Sequence, residues 1–170
     1  MSNKTKTVKD FLGKDLNFEC MGCGIANGEL EIPAGIIYKG IHVILAIDPE
    51  IPLPGFLILS TKRHVRSFSE CTKEEREEIS EILYYSEKAL KDLNIVRKVT
   101  LIQEEKSGHF HIWIYPNYIW LQKKFGEGID SIKPAFEYVK ENVKKNKKII
   151  KRILDTADNI KEYFEEIFVD

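Results

Sequence analysis

Apolar positions recur along this chain with two different periods. Five short runs rich in β-branched and aromatic residues are bounded by Gly, Pro or polar clusters: Ile36 to Tyr38, Ile41 to Ile47, Phe56 to Ser60, Val99 to Gln103 and Phe110 to Tyr115. Runs of that length and make-up predict strands. Between the third and fourth, Ile79, Ile82, Leu83, Ala89, Leu90 and Leu93 fall at helical spacing. Thr72-x-x-Glu75 supplies a capping box for the start of that helix, and Asn94 a place for it to stop. Pro134 onward reads as helical to the end, with an apolar stripe through Ile149, Ile150, Ile153, Leu154, Ala157, Ile160, Phe164 and Ile167. The segment Asp48 to Gly55 holds Pro49, Pro52 and Pro54, which exclude a helix or a central strand there. Strands, one helix, strands, then helices predict an α+β fold with a five-stranded antiparallel sheet and one packed helix. Residues 1–19 read as a loose lead-in, Cys20 to Gly24 as a tight Gly-rich turn, 20–125 as the main domain, and 126–170 as a helical extension packed on it.

Composition narrows this picture. At 170 residues, 43% hydrophobic and 31% charged, the chain can bury a core and is unlike a disordered segment. A formal net charge of -1 gives no overall field to gather nucleic acid, so no nucleic-acid partner is expected. The Lys-rich stretch from Lys144 to Arg152 reads as a solvated helix face, since acidic residues follow it and aromatics are not interleaved. No apolar run approaches the length of a membrane span, so no membrane partner is expected. Met1 to Asp15 is polar, with no apolar h-region. Three cysteines, Cys20, Cys23 and Cys71, suit a reducing compartment better than a disulfide framework. A cytoplasmic protein is expected. Cys71 has no partner in this pattern and reads as packing; His42, inside an apolar run, reads as a core or sheet-face histidine.

The chemistry concentrates at His109-Phe110-His111-Ile112-Trp113-Ile114-Tyr115-Pro116. In a strand, His109, His111, Trp113 and Tyr115 share one face while Phe110, Ile112 and Ile114 point into a core. The two histidines then lie about 6.5 Å apart, at a rise of about 3.3 Å per residue. That spacing suits two neighbouring jobs better than chelation of one ion; a pair of surface histidines fits it as well. Cys20-x-x-Cys23 carries two thiols at a common zinc spacing, though two reduced, half-buried cysteines would read the same way. Asp48 opens the proline-rich loop and could simply cap it.

The histidine run resembles the signature of the histidine-triad superfamily, in which histidines alternate with apolar residues. Phe56-Leu57-Ile58-Leu59-Ser60-Thr61-Lys62-Arg63-His64-Val65 is similar to that family's strand leading into a basic turn that ends in His. Asp48 lies sixteen positions before His64, as the family's ribose-binding Asp does. Cys20-Met21-Gly22-Cys23-Gly24-Ile25 resembles the start of zinc-containing bacterial members. The resemblance spans about Cys20 to Pro116 and leaves the C-terminal helices unexplained. It implies His111 as a nucleophile that attacks an α-phosphorus, with Asp48 on the ribose and Met21, Ile25 and Ile47 on the base. Gln103, Ser107 and the amide of Gly108 would serve the phosphate oxygens. It also implies a structural zinc held by Cys20, Cys23, His64 and His109, a nucleotide substrate, and a homodimer.

The third position of the triad is Trp113. An indole N–H donates a hydrogen bond but neither delivers nor takes a proton. Against the substrate it can act as a binding wall. The expected substrates are therefore nucleoside or dinucleoside polyphosphates, whose leaving phosphate departs as a stable anion. Three classes of function remain: a nucleotidyl hydrolase or transferase, a nucleotide-binding protein of attenuated activity, and a zinc-stabilised interaction module. A trapped nucleotidyl-protein adduct distinguishes the first from the others.

Overall fold

A computed structural model describes residues 5–143 and 146–168 of the protein. Lys144, the start of the Lys-rich stretch, lies outside the described residues. The chain opens with a hairpin of β1 (Lys6–Lys9) and β2 (Asp15–Phe18), followed by a short helix α1 (Met21–Ala26). Strands β3 (Ile36–Lys39), β4 (Val43–Ile47) and β5 (Leu57–Thr61) lead to helix α2 (Lys73–Asp92). Strands β6 (Val99–Gln103) and β7 (His111–Pro116) follow, then α3 (Ile119–Phe125), α4 (Ile132–Asn142) and α5 (Lys147–Ile167). The main sheet is antiparallel throughout, in the order β3-β4-β5-β7-β6. The α+β architecture with a five-stranded antiparallel sheet is as the sequence pattern predicts.

Each face of the sheet is covered differently. Val43, Leu45 and Ile47 of β4, Leu57 and Leu59 of β5, and Ile112 and Ile114 of β7 bury one face against Ile79, Ile82 and Leu90 of α2. Ile153, Ala157, Ile160 and Phe164 of α5 enter the same core. The expected extension thus shares the apolar cluster of the sheet. The other face is covered at two ends. Leu16 of the hairpin and Ile25 and Ala26 of α1 pack on Ile44 and Ala46 of β4. Leu121 of α3 and Ile132, Ala135 and Val139 of α4 gather with Phe56 and Tyr115. Between these two lids the face carries Ile58, Ser60, His111 and Trp113, and there a cavity opens.

Helix α2 begins as its capping box requires. The Thr72 amide donates to Glu75 Oε2 at 2.8 Å, and the Glu75 amide donates to Thr72 Oγ1 at 3.2 Å. It ends before Asn94, whose φ of 53° is the left-handed conformation that Asn tolerates after a helix. Four local expectations give way to tertiary context. The lead-in is a hairpin, because Phe11 and Leu16 bury their side chains and the Phe11 amide donates to the Pro49 carbonyl at 2.8 Å. Cys20 to Gly24 enters a helical turn, with the Gly24 amide donating to the Cys20 carbonyl at 3.0 Å. His42 sits in the turn before β4, its amide donating to Glu78 Oε2 at 2.7 Å. Helix α4 starts two residues before Pro134, which falls in the first turn, where a missing N–H costs little. No helix among the described residues is long and apolar enough to cross a membrane.

If α5 is part of the core, removing its largest buried side chain must destabilise the whole chain. Phe164 is 1% exposed, and its ring packs at a tilt against Tyr38 of β3, centroids 5.5 Å apart. Phe164→Ala is expected to cost about 3–5 kcal/mol, read as a lower denaturant midpoint in one cooperative transition. A separate early transition confined to the C-terminal helices would show that they fold independently.

Candidate active site and metal centre

Strand β5 leaves the sheet at Thr61, and the chain turns through Lys62, Arg63 and His64. Arg63 donates through Nε and Nη2 to the two carboxylate oxygens of Glu75, at 2.9 and 2.7 Å. Glu75 is buried, and Arg63 holds its carboxyl below the ordinary range. The residue that caps α2 thus also fixes the turn that presents His64. From the other side, α1 brings Cys20 and Cys23 to the same point. His109, just ahead of β7, completes the group: its Nδ1 lies 3.2 Å from Cys20 Sγ and 3.5 Å from Cys23 Sγ. His64 Nδ1 lies 3.2 Å from Cys23 Sγ and 3.5 Å from Cys20 Sγ. All four donor atoms fall within 4.8 Å of one another.

These separations fit a tetrahedral ion. With metal–sulfur bonds of about 2.3 Å and metal–nitrogen bonds of about 2.0 Å, sulfur–nitrogen edges are about 3.5 Å. His109 is prepared for such a role. Its Nε2 is 2.8 Å from the Thr61 carbonyl, which can only accept, so the proton sits on Nε2 and the lone pair of Nδ1 faces the cluster. Burial lowers the His109 pKa, which keeps the ring neutral. Without a cation, burial and then Cys20 push the Cys23 thiol up to about 11; a bound dication would reverse that by favouring thiolates.

Two residues along β7, His111 has the opposite tautomer. Its Nδ1 is 3.0 Å from the His109 carbonyl and 3.2 Å from Ser107 Oγ, and that hydroxyl itself donates to the same carbonyl at 2.8 Å. The carbonyl accepts from Nδ1–H, so Nε2 keeps its lone pair. His111 lines a cavity of about 400 Å³ whose wall also includes Met21, Ile25, Ile47, Asp48, Ser107 and Trp113. Asp48 does cap its loop: Oδ1 accepts the amides of Glu50 and Ile51 at 2.8 and 2.7 Å. Both bonds fall on Oδ1. Burial outweighs them and pushes the Asp48 carboxyl up to about 6. Trp113 packs edge-on against Phe56 and Phe136, with centroids at 6.2 and 5.6 Å, and its ring lies 5.5 Å from that of His111.

No family model matches the chain. It is 29% identical over 104 residues to an uncharacterised HIT-like protein of Methanocaldococcus jannaschii, a match covering 58% of this chain and 79% of that protein. A hypothetical histidine triad nucleotide-binding protein from Sulfolobus tokodaii superposes with a TM-score of 0.61 at 19% identity, covering 89% of this chain and 97% of that one. A zinc-bound histidine triad family protein from Mycobacterium smegmatis gives 0.59 at 12% identity, covering 87% and 94%. The chain has the histidine-triad fold and resembles that superfamily in sequence.

Most residues that the histidine-triad resemblance singled out meet at these two adjoining sites, but two do not. Gln103 pairs with Ile112, on the face that α2 and α5 cover, and does not line the cavity. Glu104, the next residue, does. The strand period of two puts Gln103 on the wrong face for the phosphate role the resemblance implied. The Gly108 amide, expected to bind phosphate, donates instead to the Glu105 carbonyl at 3.2 Å, and Gly108 is absent from the cavity wall. Ser60, Phe18 and Lys6 line the cavity without having been singled out. Ser60 pairs with His111 across β5 and β7, a relation visible only once strand order is known. Nothing in the local sequence points to Lys6 or Phe18.

Gly22 lets α1 lie against the His109 ring. A Cβ on Gly22 would stand 2.8 Å from His109 Cγ and Cδ2, closer than real contacts allow. Gly22→Ala must therefore shift a ring that faces both cysteines. Cobalt(II) titration, followed by the d–d absorption of a tetrahedral thiolate site, is expected to show at least about tenfold weaker binding than the parent chain. Unchanged affinity would mean that His109 is not a ligand.

Proposed function

We propose that this chain is a nucleotidyl hydrolase or transferase that cleaves nucleoside or dinucleoside polyphosphates through a nucleotidyl-His111 intermediate. The observation that carries this reading is the contact from His111 Nδ1 to the His109 carbonyl at 3.0 Å, which leaves Nε2 free on the wall of a nucleotide-sized cavity. In this reading His111 Nε2 attacks the α-phosphorus, and a P–N bond forms as the bond to the leaving phosphate breaks. The leaving group takes the electron pair of that bond. Positive charge develops on the imidazole and is eased by Nδ1–H donating to the carbonyl. Water, which loses a proton to solvent, or a second phosphate then attacks the same phosphorus, and the electron pair of the P–N bond returns to Nε2.

The neighbouring residues take the roles this requires. Asp48, with Oδ1 held by two amides, turns Oδ2 to the ribose hydroxyls. Met21, Ile25 and Ile47 belong to the apolar part of the wall, with Phe18, Ile44 and Ile58, and this part takes the base. Ser107 sits beside the reacting imidazole and helps to orient it and the phosphate. Trp113 is a flat wall with one N–H to offer, which suits a leaving group that needs no proton. Zinc is the ion proposed for Cys20, Cys23, His64 and His109: two thiolates and two imidazoles in a tetrahedron are its preferred set and leave no open position for water. When bound, it would tie α1 and the turn after β5 to the entrance of β7. The homodimer is part of the same proposal; the open edge of β6, with Leu101 half exposed, is a surface available for it. Trp113 also favours a second reading, a nucleotide-binding protein of attenuated activity.

The covalent step distinguishes the two. Acid quenching of the chain with a dinucleoside polyphosphate, followed by mass spectrometry, is expected to show one nucleotidyl adduct, absent from His111→Ala. That variant should lose several orders of magnitude in turnover. Retention of more than about a tenth of the activity would rule out the covalent mechanism.

A pH dependence also follows. Hydrogen bonds from ribose favour the ionised form of Asp48, whose pKa in the free chain is raised to about 6. Binding of a dinucleoside polyphosphate, whose internal phosphates do not titrate there, should therefore tighten as pH rises through about 6. Asp48→Asn should bind about 1–3 kcal/mol more weakly and lose that pH dependence. An identical pH profile in the variant would remove Asp48 from the sugar site.

A further inference from the structure

A second and larger concavity, about 980 Å³, opens where the end of α2, the start of β6, the end of β7 and α3 meet. Lys91, Arg97, Lys98, Lys123 and Arg152 line it, and among the described residues its wall contains no carboxylate. Lys91 is paired with Glu87 at 3.1 Å. The other four form no ion pair among the described residues. Arg97 and Lys98 come from the turn after α2, Lys123 from α3 and Arg152 from α5. Only Arg152 belongs to the Lys-rich stretch of the sequence. A chain whose formal net charge is -1 thus gathers four unneutralised cations around one hollow, where concave low-dielectric walls concentrate their potential.

An aromatic plane stands among these charges. Trp120 on the cavity wall is 43% exposed, and its ring lies 6.2 Å from that of Tyr138. Tyr118 anchors the wall beneath by donating its hydroxyl to the Pro54 carbonyl at 2.9 Å. Unpaired cations around an accessible aromatic face match what a flexible polynucleotide offers, phosphates for the cations and a base to stack. A second copy of this chain fits poorly, since a two-fold contact centred here would set the cations against their own equivalents. A free phosphate requires neither this volume nor the indole.

We propose that this cavity is a binding site for single-stranded nucleic acid, with Arg97, Lys98, Lys123 and Arg152 on successive phosphates and Trp120 stacked on a base. This site is separate from the His111 cavity and does not rest on the nucleotidyl reading. The whole-chain charge balance, from which no nucleic-acid partner was expected, averages the local excess away.

The test uses the full chain and a fluorescein-labelled oligouridylate, followed by anisotropy over a salt series. The logarithm of the association constant should fall against the logarithm of salt concentration with a slope of about -2 to -3, for three or four phosphates on a single strand. Arg97→Glu combined with Arg152→Glu should weaken binding by more than about tenfold, and Trp120→Ala by about fivefold or more. Asp48→Asn should bind the strand as the parent does. Should the double Glu variant melt early, Arg97→Gln with Arg152→Gln replaces it, with a smaller loss in the same direction. Absence of saturable binding at low salt overturns the proposal, as does binding indifferent to the charge variants. Loss of binding in Asp48→Asn would place the strand in the first cavity and also overturn it. Displacement by inorganic tripolyphosphate at matched phosphate concentration, with Trp120→Ala without effect, would identify a polyphosphate site and refute the nucleic-acid assignment.

Discussion

The pleat of β7 is the constraint on which the rest of the site depends. Ile112 and Ile114 of this strand, and Phe110 just ahead of it, are buried under α2 and α5. Side chains alternate across a strand, so their burial turns His111 and Trp113 to the opposite face. The strand is bonded on both sides, to β5 and to β6. A slip of one residue would bury an imidazole in an apolar core and expose its apolar neighbours, at a cost of several kcal/mol. The packing that stabilises the sheet is therefore also what turns the His111 imidazole to the cavity.

Two backbone carbonyls then divide the labour between the histidines. The Thr61 carbonyl takes the Nε2 proton of His109, and the His109 carbonyl takes the Nδ1 proton of His111. One ring is left with its lone pair toward two cysteines, the other with its lone pair toward the cavity. His109 thus faces the cysteine pair through its side chain and His111 through its backbone. Anything that moves its ring bears on both sites, and Gly22 and Thr61 hold that ring from two directions.

The cavity exists because the second face of the sheet is covered only at its ends. The hairpin and α1 close one end, α3 and α4 the other, and the strip between them stays open over β5 and β7. Asp48 reaches the cavity from the proline-rich loop. The same loop receives the Phe11 amide at Pro49 and supplies the Pro54 carbonyl to Tyr118. That loop braces the hairpin lid at one end and the entry to α3 at the other, which explains why a segment without regular structure is held in place.

Features that depend on neighbours a few residues away were readable from the order of residues. The alternation in β7, the capping box at Thr72 and Glu75, the stop at Asn94 and the irregular course of the Asp48 loop were all legible, because each rests on short-range backbone geometry. The four-donor group was legible through a resemblance, although Cys20 and His109 stand 89 positions apart. The rest was set by packing between distant elements. Glu104 in place of Gln103 on the cavity wall follows from where β6 enters register with β7. Helix α1 forms through two glycines of poor helix propensity, and Gly22 sits where a side chain would strike His109. The hairpin folds down because Phe11 and Leu16 find a core elsewhere in the chain. The second cavity collects its cations from the turn after α2, from α3 and from α5, which no local pattern connects. Periodicity reports which face of an element is apolar; which faces meet is settled only when distant elements pack and exclude water together.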